Sequence, residues 1–226
     1  KTPHLLAAID PAFYVPIDIS GDYLTDSSAA LAQRFPGLPV LPLVADFMAP
    51  VALPPAVAAL PKLGFFPGST IGNMEPAAAV DLLRAMRGSL GDGAMLLIGM
   101  DRIKDQAILV PAYDDAQGVT AAFNLNLLHR INRELDGDLP VDAFVHRAVW
   151  NDDAARIEMH LEARRDIMFH IAGTAFTMQA GETIHTESSH KYGARDSRLL
   201  LRAGGWNPIR EWTDEDGLFS LILAKA

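Results

Sequence analysis

The stretch from Leu63 to Pro76 constrains the fold of this chain more than any other. Its apolar part, 63–66, is typical of a buried strand, and it ends abruptly in Pro-Gly-Ser-Thr before Pro76 opens a helix. Open α/β sheets place such a turn at the carboxyl edge of their strands, where they bind small molecules. Ordinary strand-to-helix turns use the same residue types, so the pattern alone leaves both interpretations open.

Strands and helices alternate over the first hundred residues at the spacing of a parallel, doubly wound sheet. The predicted strands lie at 13–20, 40–47, 63–66 and 94–99, with helices at 23–35 and 76–90. A helix at 196–203 and a closing hairpin of 209–213 and 218–224 return the chain to this sheet. The sequence therefore predicts an α/β, Rossmann-like domain over 1–104 and 194–226.

The pattern between these parts is different. A helix at 119–135 carries Phe123, Leu127 and Ile131 on one face, and the segments 156–163, 166–171 and 175–179 alternate as antiparallel strands do. We therefore predict an inserted α+β lobe over 105–193.

Composition excludes several classes of function. The 226 residues carry 19 Lys and Arg against 28 Asp and Glu, without a dense basic run, so nucleic acid is not expected as a partner. Cysteine is absent, which argues against a disulfide framework and favours the cytoplasm. No apolar run approaches the roughly 18 to 20 residues of a membrane span.

Two carboxylates, Asp18 and Asp46, lie at the ends of successive predicted strands. A doubly wound sheet uses such groups to hold a ribose and an adenine, and Phe47 could stack on the base. Turn or cap residues would look the same. The glycine-rich turn that usually precedes these strands is absent, and 1–9 looks like the remainder of the helix after it, which also disfavours a dehydrogenase.

A second polar cluster lies near the end of the lobe. Glu187 and Ser189 are two residues apart, so on an extended segment they point the same way and could grip one polar group. His185, Glu187 and His190 are possible metal ligands, but their spacing matches no common zinc pattern, so no metal is predicted. A polar strand end that caps a helix at Lys191 is the simple alternative.

Five longer motifs remain to be explained, at 65–73, 97–101, 113–126, 156–161 and 181–187. Together they resemble the S-adenosylmethionine-dependent histidine Nα-methyltransferase family of ergothioneine biosynthesis. The resemblance covers essentially the whole chain and departs from the family pattern at Met74, Ser188 and His190. It implies a class I methyltransferase-like fold with S-adenosylmethionine as cofactor and L-histidine as substrate. It also implies that a family segment lies upstream of Lys1, and we expect a monomer when the chain is complete.

The resemblance assigns roles to individual residues. The implied cofactor contacts are Asp18 with the ribose and Asp46 and Phe47 with the adenine. Ser69, in the turn after the predicted strand 63–66, is a further implied cofactor contact. The implied substrate contacts are Gly68, Asn73 and Tyr113 with the amino acid group, Glu187 and Ser189 with the imidazole, and Met159 packed against it. Asn73 and Tyr113 would orient the amino nitrogen for transfer. A related amino-acid substrate or a non-catalytic fragment remain as alternatives.

Overall fold

The computed structural model describes all residues from 1 to 226 and divides them into two compact units. Unit 1 comprises 1–71, 75–100 and 194–226, and unit 2 comprises 72–74 and 101–193. The helices are α1 (Thr2–Ile9), α2 (Gly21–Arg34), α3 (Pro76–Leu90), α4 (Gln106–Leu109), α5 (Val119–Glu134) and α6 (Ala194–Ala203). The strands are β1 (Ile17–Asp18), β2 (Leu43–Val44), β3 (Leu63–Phe66), β4 (Met95–Asp101), β5 (Phe144–Asn151), β6 (Arg156–Ala163), β7 (Ile167–Ile171), β8 (Thr174–Met178), β9 (Thr183–His190), β10 (Asn207–Thr213) and β11 (Phe219–Lys225).

Unit 1 contains two separate sheets. One is the parallel pair β1 and β2, and the other has the strand order β10-β11-β4-β3, in which β3 and β4 are parallel. The closing strands β10 and β11 form the predicted antiparallel hairpin. Parallel strands therefore alternate with helices as predicted, although the predicted single sheet is divided into two pieces.

Three strand predictions for unit 1 need correction. The strands predicted at 13–20 and 40–47 shrink to the two-residue strands β1 and β2, extended only by an isolated bridge between Tyr14 and Val40. The strand at 63–66 is present but is not buried, because β3 is an edge strand whose only partner is β4. Its first residue, Leu63, is 37% exposed.

The core of unit 1 lies around α3, and the sequence predicted the bounds of this helix. Pro76 occupies its first position, where a missing N–H costs nothing, and Leu82 and Leu83 are fully buried. Helix α6 packs against it. The Trp206 indole, 1% exposed, donates a hydrogen bond of 2.8 Å to the carbonyl oxygen of Leu83, so the largest buried side chain is also satisfied as a donor.

Gly99 brings the turn after β3 onto the neighbouring strand. A Cβ at this position would collide with the carbonyl oxygen of Pro67 and lie 2.7 Å from the ring of Phe219. Only glycine therefore allows β4 to pass so close to the turn that carries Gly68 and Ser69.

Unit 2 is built on the antiparallel sheet β5-β6-β9, with the hairpin β7–β8 beside it. Burial alternates strictly along β6: Ile157, Met159 and Leu161 are buried, while the residues between them are half-buried. One face of this sheet packs into a core with Leu128 of α5. No helix of either unit is both long and apolar enough to cross a membrane.

Helix α5 has the predicted position but a different buried face. Phe123 and Leu127 of the predicted apolar stripe are 69% and 38% exposed, and only Ile131 packs on the core cluster. The helix buries Asn124 and Leu128 instead. Periodicity thus identified the helix but not the side that faces the core.

Candidate functional site

The two predicted cofactor carboxylates of unit 1 lie at the same edge of the β1–β2 pair. Asp18 is the last residue of β1, and Asp46 lies two residues beyond β2. Since the strands are parallel and in register, with Asp18 opposite Val44, their carboxyl ends meet. Each carboxylate accepts a backbone hydrogen bond with Oδ1, from Ser20 at 2.8 Å and Met48 at 2.9 Å, and leaves Oδ2 for a ligand.

The remaining cofactor candidates of unit 1 surround the end of β3. The ring of Phe47 makes an edge contact with the ring of Phe66, with centroids 5.9 Å apart, so the segment after β2 reaches the carboxyl end of β3. Ser69 is buried and adopts a left-handed φ of 57°. Such a backbone is costly for a residue with a Cβ and is typical of binding turns. Gly68, before it, is exposed.

In unit 2, the register of the central sheet gathers the predicted imidazole contacts on one face. Glu187 lies opposite Met159, and Ser189 lies opposite Ile157. The side chains of Met159 and Ile157 both point to the buried face of β6. Met159 is 5% exposed and also lies opposite Ala148 of β5. A carboxylate, a hydroxyl and a thioether therefore border one small area of the sheet.

A β-bulge creates this arrangement. The register shifts between Met159 and His160, and Thr186 is the extra residue on β9, where its hydroxyl donates to the carbonyl oxygen of Met159 at 3.0 Å. Because of the bulge, His185 points to the opposite face from Glu187 although the two are only two residues apart. The ring of His185 stacks there on His160, with centroids 4.8 Å apart.

Asn73 lies against Glu187. Its amide Nδ2 donates to Oε1 of Glu187 at 2.9 Å, whereas Oε2 has no hydrogen-bond partner in the protein. Burial raises the pKa of the Glu187 carboxyl above its usual value. The structure therefore joins a predicted contact of the amino acid group to a predicted contact of the imidazole, and leaves one carboxylate oxygen available.

Tyr113, Ser189 and Lys191 form a closed hydrogen-bonded triangle. The phenol oxygen of Tyr113 is 2.9 Å from Oγ of Ser189, and Nζ of Lys191 donates to both, at 2.7 and 2.8 Å. Lys191 also pairs with Oδ2 of Asp101 at 2.8 Å, and its side chain is completely buried. Tyr113 thus lies beside Ser189, one of the predicted imidazole contacts, and its role at the amino nitrogen stays a prediction.

The backbone of Tyr113 is held by a buried polar pair. Nδ2 of Asn124 donates to Nδ1 of His146 at 3.0 Å, which makes Nε2 of His146 the protonated nitrogen, and Nε2 donates to the carbonyl oxygen of Tyr113 at 2.7 Å. The ring of Tyr113 packs on a small apolar cluster that includes Ile157. Asn124, unremarkable in the sequence, therefore fixes a candidate site residue.

The possible metal ligands considered in the sequence, His185, Glu187 and His190, are not the group of three that lies together in the structure. Nδ1 of His190 lies 3.0 Å from the carbonyl oxygen of Gly72. A different group could hold a metal ion: Glu158, His160 and His185 place one ligand atom each within 4.8 Å of one another on the outer face of the sheet. Oε1 of Glu158 is already bonded to Arg156. Desolvation alone would raise the pKa of Glu158, but its hydrogen bonds to Arg156 and other neighbours outweigh this effect and lower the pKa to about 2.

An open cavity of about 770 Å³ lies elsewhere in unit 2. Its lining is mostly apolar and includes Ile131, Phe169, Met178 and Ile184. None of the predicted substrate residues lines it.

Sequence reasoning missed two members of the unit 2 cluster, Lys191 and Asp101. A signal for Lys191 was present, because it continues the two-residue alternation from Glu187 through Ser189. Asp101 gave no comparable signal, since only the bridge between Arg102 and Tyr192 brings it to β9.

Comparison with known sequences identifies relatives over the whole chain. Residues 1–226 match the sequence model of the family described as "Histidine-specific methyltransferase, SAM-dependent". The histidine N-alpha-methyltransferase of Mycolicibacterium smegmatis is 39% identical, over 99% of this chain and 71% of that protein. The one of Mycobacterium tuberculosis is 40% identical, over 93% of this chain and 66% of that protein.

A more distant sequence relative and a solved structure are also similar to this chain. Ergothioneine biosynthesis protein 1 of Neurospora crassa is 30% identical over 70% of this chain and 18% of its own length. The solved structure of the CcbJ methyltransferase from Streptomyces caelestis superimposes with a TM-score of 0.51 at 14% identity, over 98% of this chain and 77% of that one. At this identity the likeness shows the fold alone, which is that of a methyltransferase.

Proposed function

Because the chain belongs to the family of S-adenosylmethionine-dependent, histidine-specific methyltransferases, we propose that unit 1 binds the cofactor and unit 2 binds histidine for methylation of its α-amino nitrogen. The family gives the reaction and the cofactor, and the relatives connect it to ergothioneine biosynthesis. What is proposed is the part each residue plays.

The observation that carries the substrate assignment is the face shared by Glu187, Ser189 and Met159. An imidazole offers two nitrogens on one edge and two apolar faces. Oε2 of Glu187 would accept its N–H, Ser189 would contact its other nitrogen, and Met159 would pack against the ring. A carboxylate beside a hydroxyl suits imidazole better than an apolar side chain, whose binding would leave both polar groups unpaired.

For the cofactor, the free carboxylate oxygens of Asp18 and Asp46 fit its hydroxyl and amino donors. Asp18 would take the ribose, while Asp46 and Phe47 would take the adenine. Ser69, held in its left-handed turn, would contribute a further polar contact. When bound, S-adenosylmethionine supplies an electrophilic methyl group on a sulfonium.

The chain's own residues would mainly orient the nucleophile, since methyl transfer to an amine is an in-line displacement. The amine lone pair forms the new N–C bond, the C–S bond breaks with its electron pair going to sulfur, and the surplus amine proton leaves to water. Asn73, fixed by Glu187, and Tyr113 would align the amino nitrogen, with Gly68 beside the substrate's carboxylate. Three such transfers give N,N,N-trimethylhistidine.

The proposal includes the setting of the reaction. A net charge of -9 without a basic run supports a small-molecule enzyme rather than a nucleic-acid partner. We propose a cytoplasmic enzyme that is a monomer at its full natural length. Cell fractionation and light scattering of the full-length protein test these two points.

Turnover by the full-length protein tests the function. It should convert histidine in the presence of S-adenosylmethionine to species with one, two and three added methyl groups, as followed by mass spectrometry. Calorimetry should show binding of S-adenosylhomocysteine. Methylation of tryptophan but not histidine would contradict the substrate assignment and favour a related amino-acid methyltransferase.

A further inference from the structure

We propose that Lys191 is a positioning residue that leaves Ser189 able only to donate a hydrogen bond, so that the site binds the imidazole of its substrate in the neutral form. The inference rests on the proposed function, in which Glu187 and Ser189 contact the imidazole. It adds the protonation state of the bound substrate and the residue that selects it.

The hydrogen bonds of Lys191 indicate an ammonium whose donors are all in use. Nζ lies within 2.8 Å of three acceptors, Oδ2 of Asp101 and the hydroxyl oxygens of Tyr113 and Ser189. An ammonium has three N–H donors, and a neutral amine has two. Because the side chain is fully buried, no water competes for these donors. Lys191 therefore occupies one lone pair on each hydroxyl.

The hydroxyl pair has a preferred direction. Tyr113 and Ser189 are 2.9 Å apart, and either could donate. A phenol, with a pKa of about 10, is a far stronger acid than an aliphatic hydroxyl and its oxygen is a weaker acceptor. Tyr113 therefore donates to Ser189.

Ser189 can then make only one kind of hydrogen bond to a ligand. A serine oxygen has two lone pairs, and Lys191 and Tyr113 fill both. Only the Ser189 proton remains, so the residue can donate but cannot accept. Glu187 is its complement, since its free Oε2 can only accept while the carboxyl is ionised.

This pair of neighbours matches only one protonation state of imidazole. The neutral ring has one N–H, for Glu187, and one bare nitrogen, for Ser189. An imidazolium has two N–H groups and no lone pair, so its second N–H would face the Ser189 proton. The cluster therefore discriminates against the charged substrate ring despite the nearby Glu187 carboxylate.

The other titratable groups around the cluster leave this arrangement unchanged. Desolvation opposes ionisation of Asp101, but hydrogen bonds from Lys104 and Lys191 outweigh it and lower its pKa, so it stays a carboxylate in mild acid. His146 is turned to the carbonyl oxygen of Tyr113, away from the hydroxyl. Glu187 is the remaining ionisable neighbour on this face.

Histidine binding measured against pH tests the inference in the full-length protein. With S-adenosylhomocysteine present, calorimetry from about pH 6 to 8 should show affinity falling toward acid with a slope that approaches tenfold per pH unit below the histidine pKa of about 6.5. The ring nitrogen chemical shifts of bound 15N-labelled histidine should be those of neutral imidazole throughout. An imidazolium signal from the bound ring of the unmodified protein would overturn the inference.

Three variants separate positioning from general damage. Lys191→Met and Tyr113→Phe each free a lone pair on Ser189, so affinity at neutral pH should fall about tenfold, the pH slope should flatten, and the bound ring should take up a proton near pH 6. Tyr113→Phe keeps the Lys191 charge and remains informative if Lys191→Met does not fold. Lys104→Met, which removes the second lysine that pairs with Asp101, should retain the unmodified slope.

The outcomes distinguish this inference from the function on which it rests. If the unmodified protein binds histidine and both Lys191→Met and Tyr113→Phe keep its pH slope and neutral ring, Lys191 does not set the polarity of Ser189. If the unmodified protein binds S-adenosylhomocysteine but not histidine, the proposed function itself is wrong, and the inference falls with it.

Discussion

Replacing Glu187 by glutamine should weaken histidine binding without weakening the fold. In the unmodified protein, Asn73 donates to Oε1 of Glu187 at 2.9 Å. The glutamine amide keeps the shape of the carboxyl and retains an oxygen that can accept this bond. In the proposed site, what disappears is the charged oxygen that would accept the imidazole N–H, because the amide nitrogen takes its place. Substrate affinity and folding stability should therefore respond in different directions, which is unusual for a half-buried residue.

The size of the affinity loss follows from the hydrogen bond that is lost. A hydrogen bond to a charged group is worth about 1.5 to 3 kcal/mol net. Because the amide oxygen stays with Asn73, Glu187→Gln removes this bond as fully as Glu187→Ala does, so each variant should lose roughly 10- to 150-fold in Kd. Cofactor affinity should not change, since no cofactor candidate contacts Glu187.

Stability should respond in the opposite sense. Burial raises the pKa of Glu187 in the folded protein, so the folded state binds this proton more tightly than the unfolded state does. Stability then increases as the pH falls through the folded pKa, and at neutral pH the ionised carboxylate is a cost to the fold. Glu187→Gln removes that cost, so the melting temperature should stay equal or rise slightly.

Glu158→Gln is the matched control, since it lies on the same sheet but on the outer face. Its carboxylate is 13% exposed and binds Arg156 and His160, and its pKa is lowered to about 2. A lowered pKa means stability that is present at neutral pH and lost as the pH falls toward 2. This variant should lose about 1 to 2 kcal/mol of unfolding free energy and keep its histidine affinity.

The two readouts are calorimetric titration with histidine and thermal unfolding without ligand. Unchanged histidine affinity in Glu187→Gln and Glu187→Ala would show that the imidazole assignment is wrong. A loss of stability in Glu187→Gln as large as that in Glu158→Gln would mean that Glu187 has a structural role and that the argument from its raised pKa fails.

Two further predictions address unit 1. Asp18→Ala should reduce S-adenosylmethionine affinity in calorimetry and leave the ligand-free melting temperature nearly unchanged, because the half-buried carboxylate bonds only to the neighbouring backbone of Ser20 and contributes little stability; equal losses of both would indicate a structural cap. Gly99→Ala should lower the unfolding free energy by about 1 to 3 kcal/mol in urea titration, since its Cβ would overlap Pro67 and Phe219, and no change would refute the close approach.

Elements with strong local signals could be predicted from the sequence. Helix α3 has the predicted ends, because Pro76 fixes its start and Gly91, with φ of 85°, ends it. The strand β6 is also as predicted, since alternation is a property of neighbouring residues. The short strands β1 and β2 were overestimated, because strand length depends on partners that a sequence pattern does not show.

For the site, the residue types and their spacing determined the candidates, and the family resemblance gave them roles. Alternation alone was enough to place Glu187 and Ser189 on one side of a strand. Their membership in one cluster with Asn73 and Tyr113 required the chain to bring together segments more than seventy residues apart.

What the sequence by itself determined is therefore local: the alternation of strands and helices, the ends of α3, and the chemistry carried by Glu187 and Ser189. Tertiary structure alone decided which face of α5 is buried, because that depends on the sheet it packs against. It also decided that the bulge at Thr186 turns His185 away from Glu187. Tertiary structure likewise decided that Lys191 is buried among Asp101, Tyr113 and Ser189. Hydrogen bonds between distant segments form only once the fold has brought those segments together.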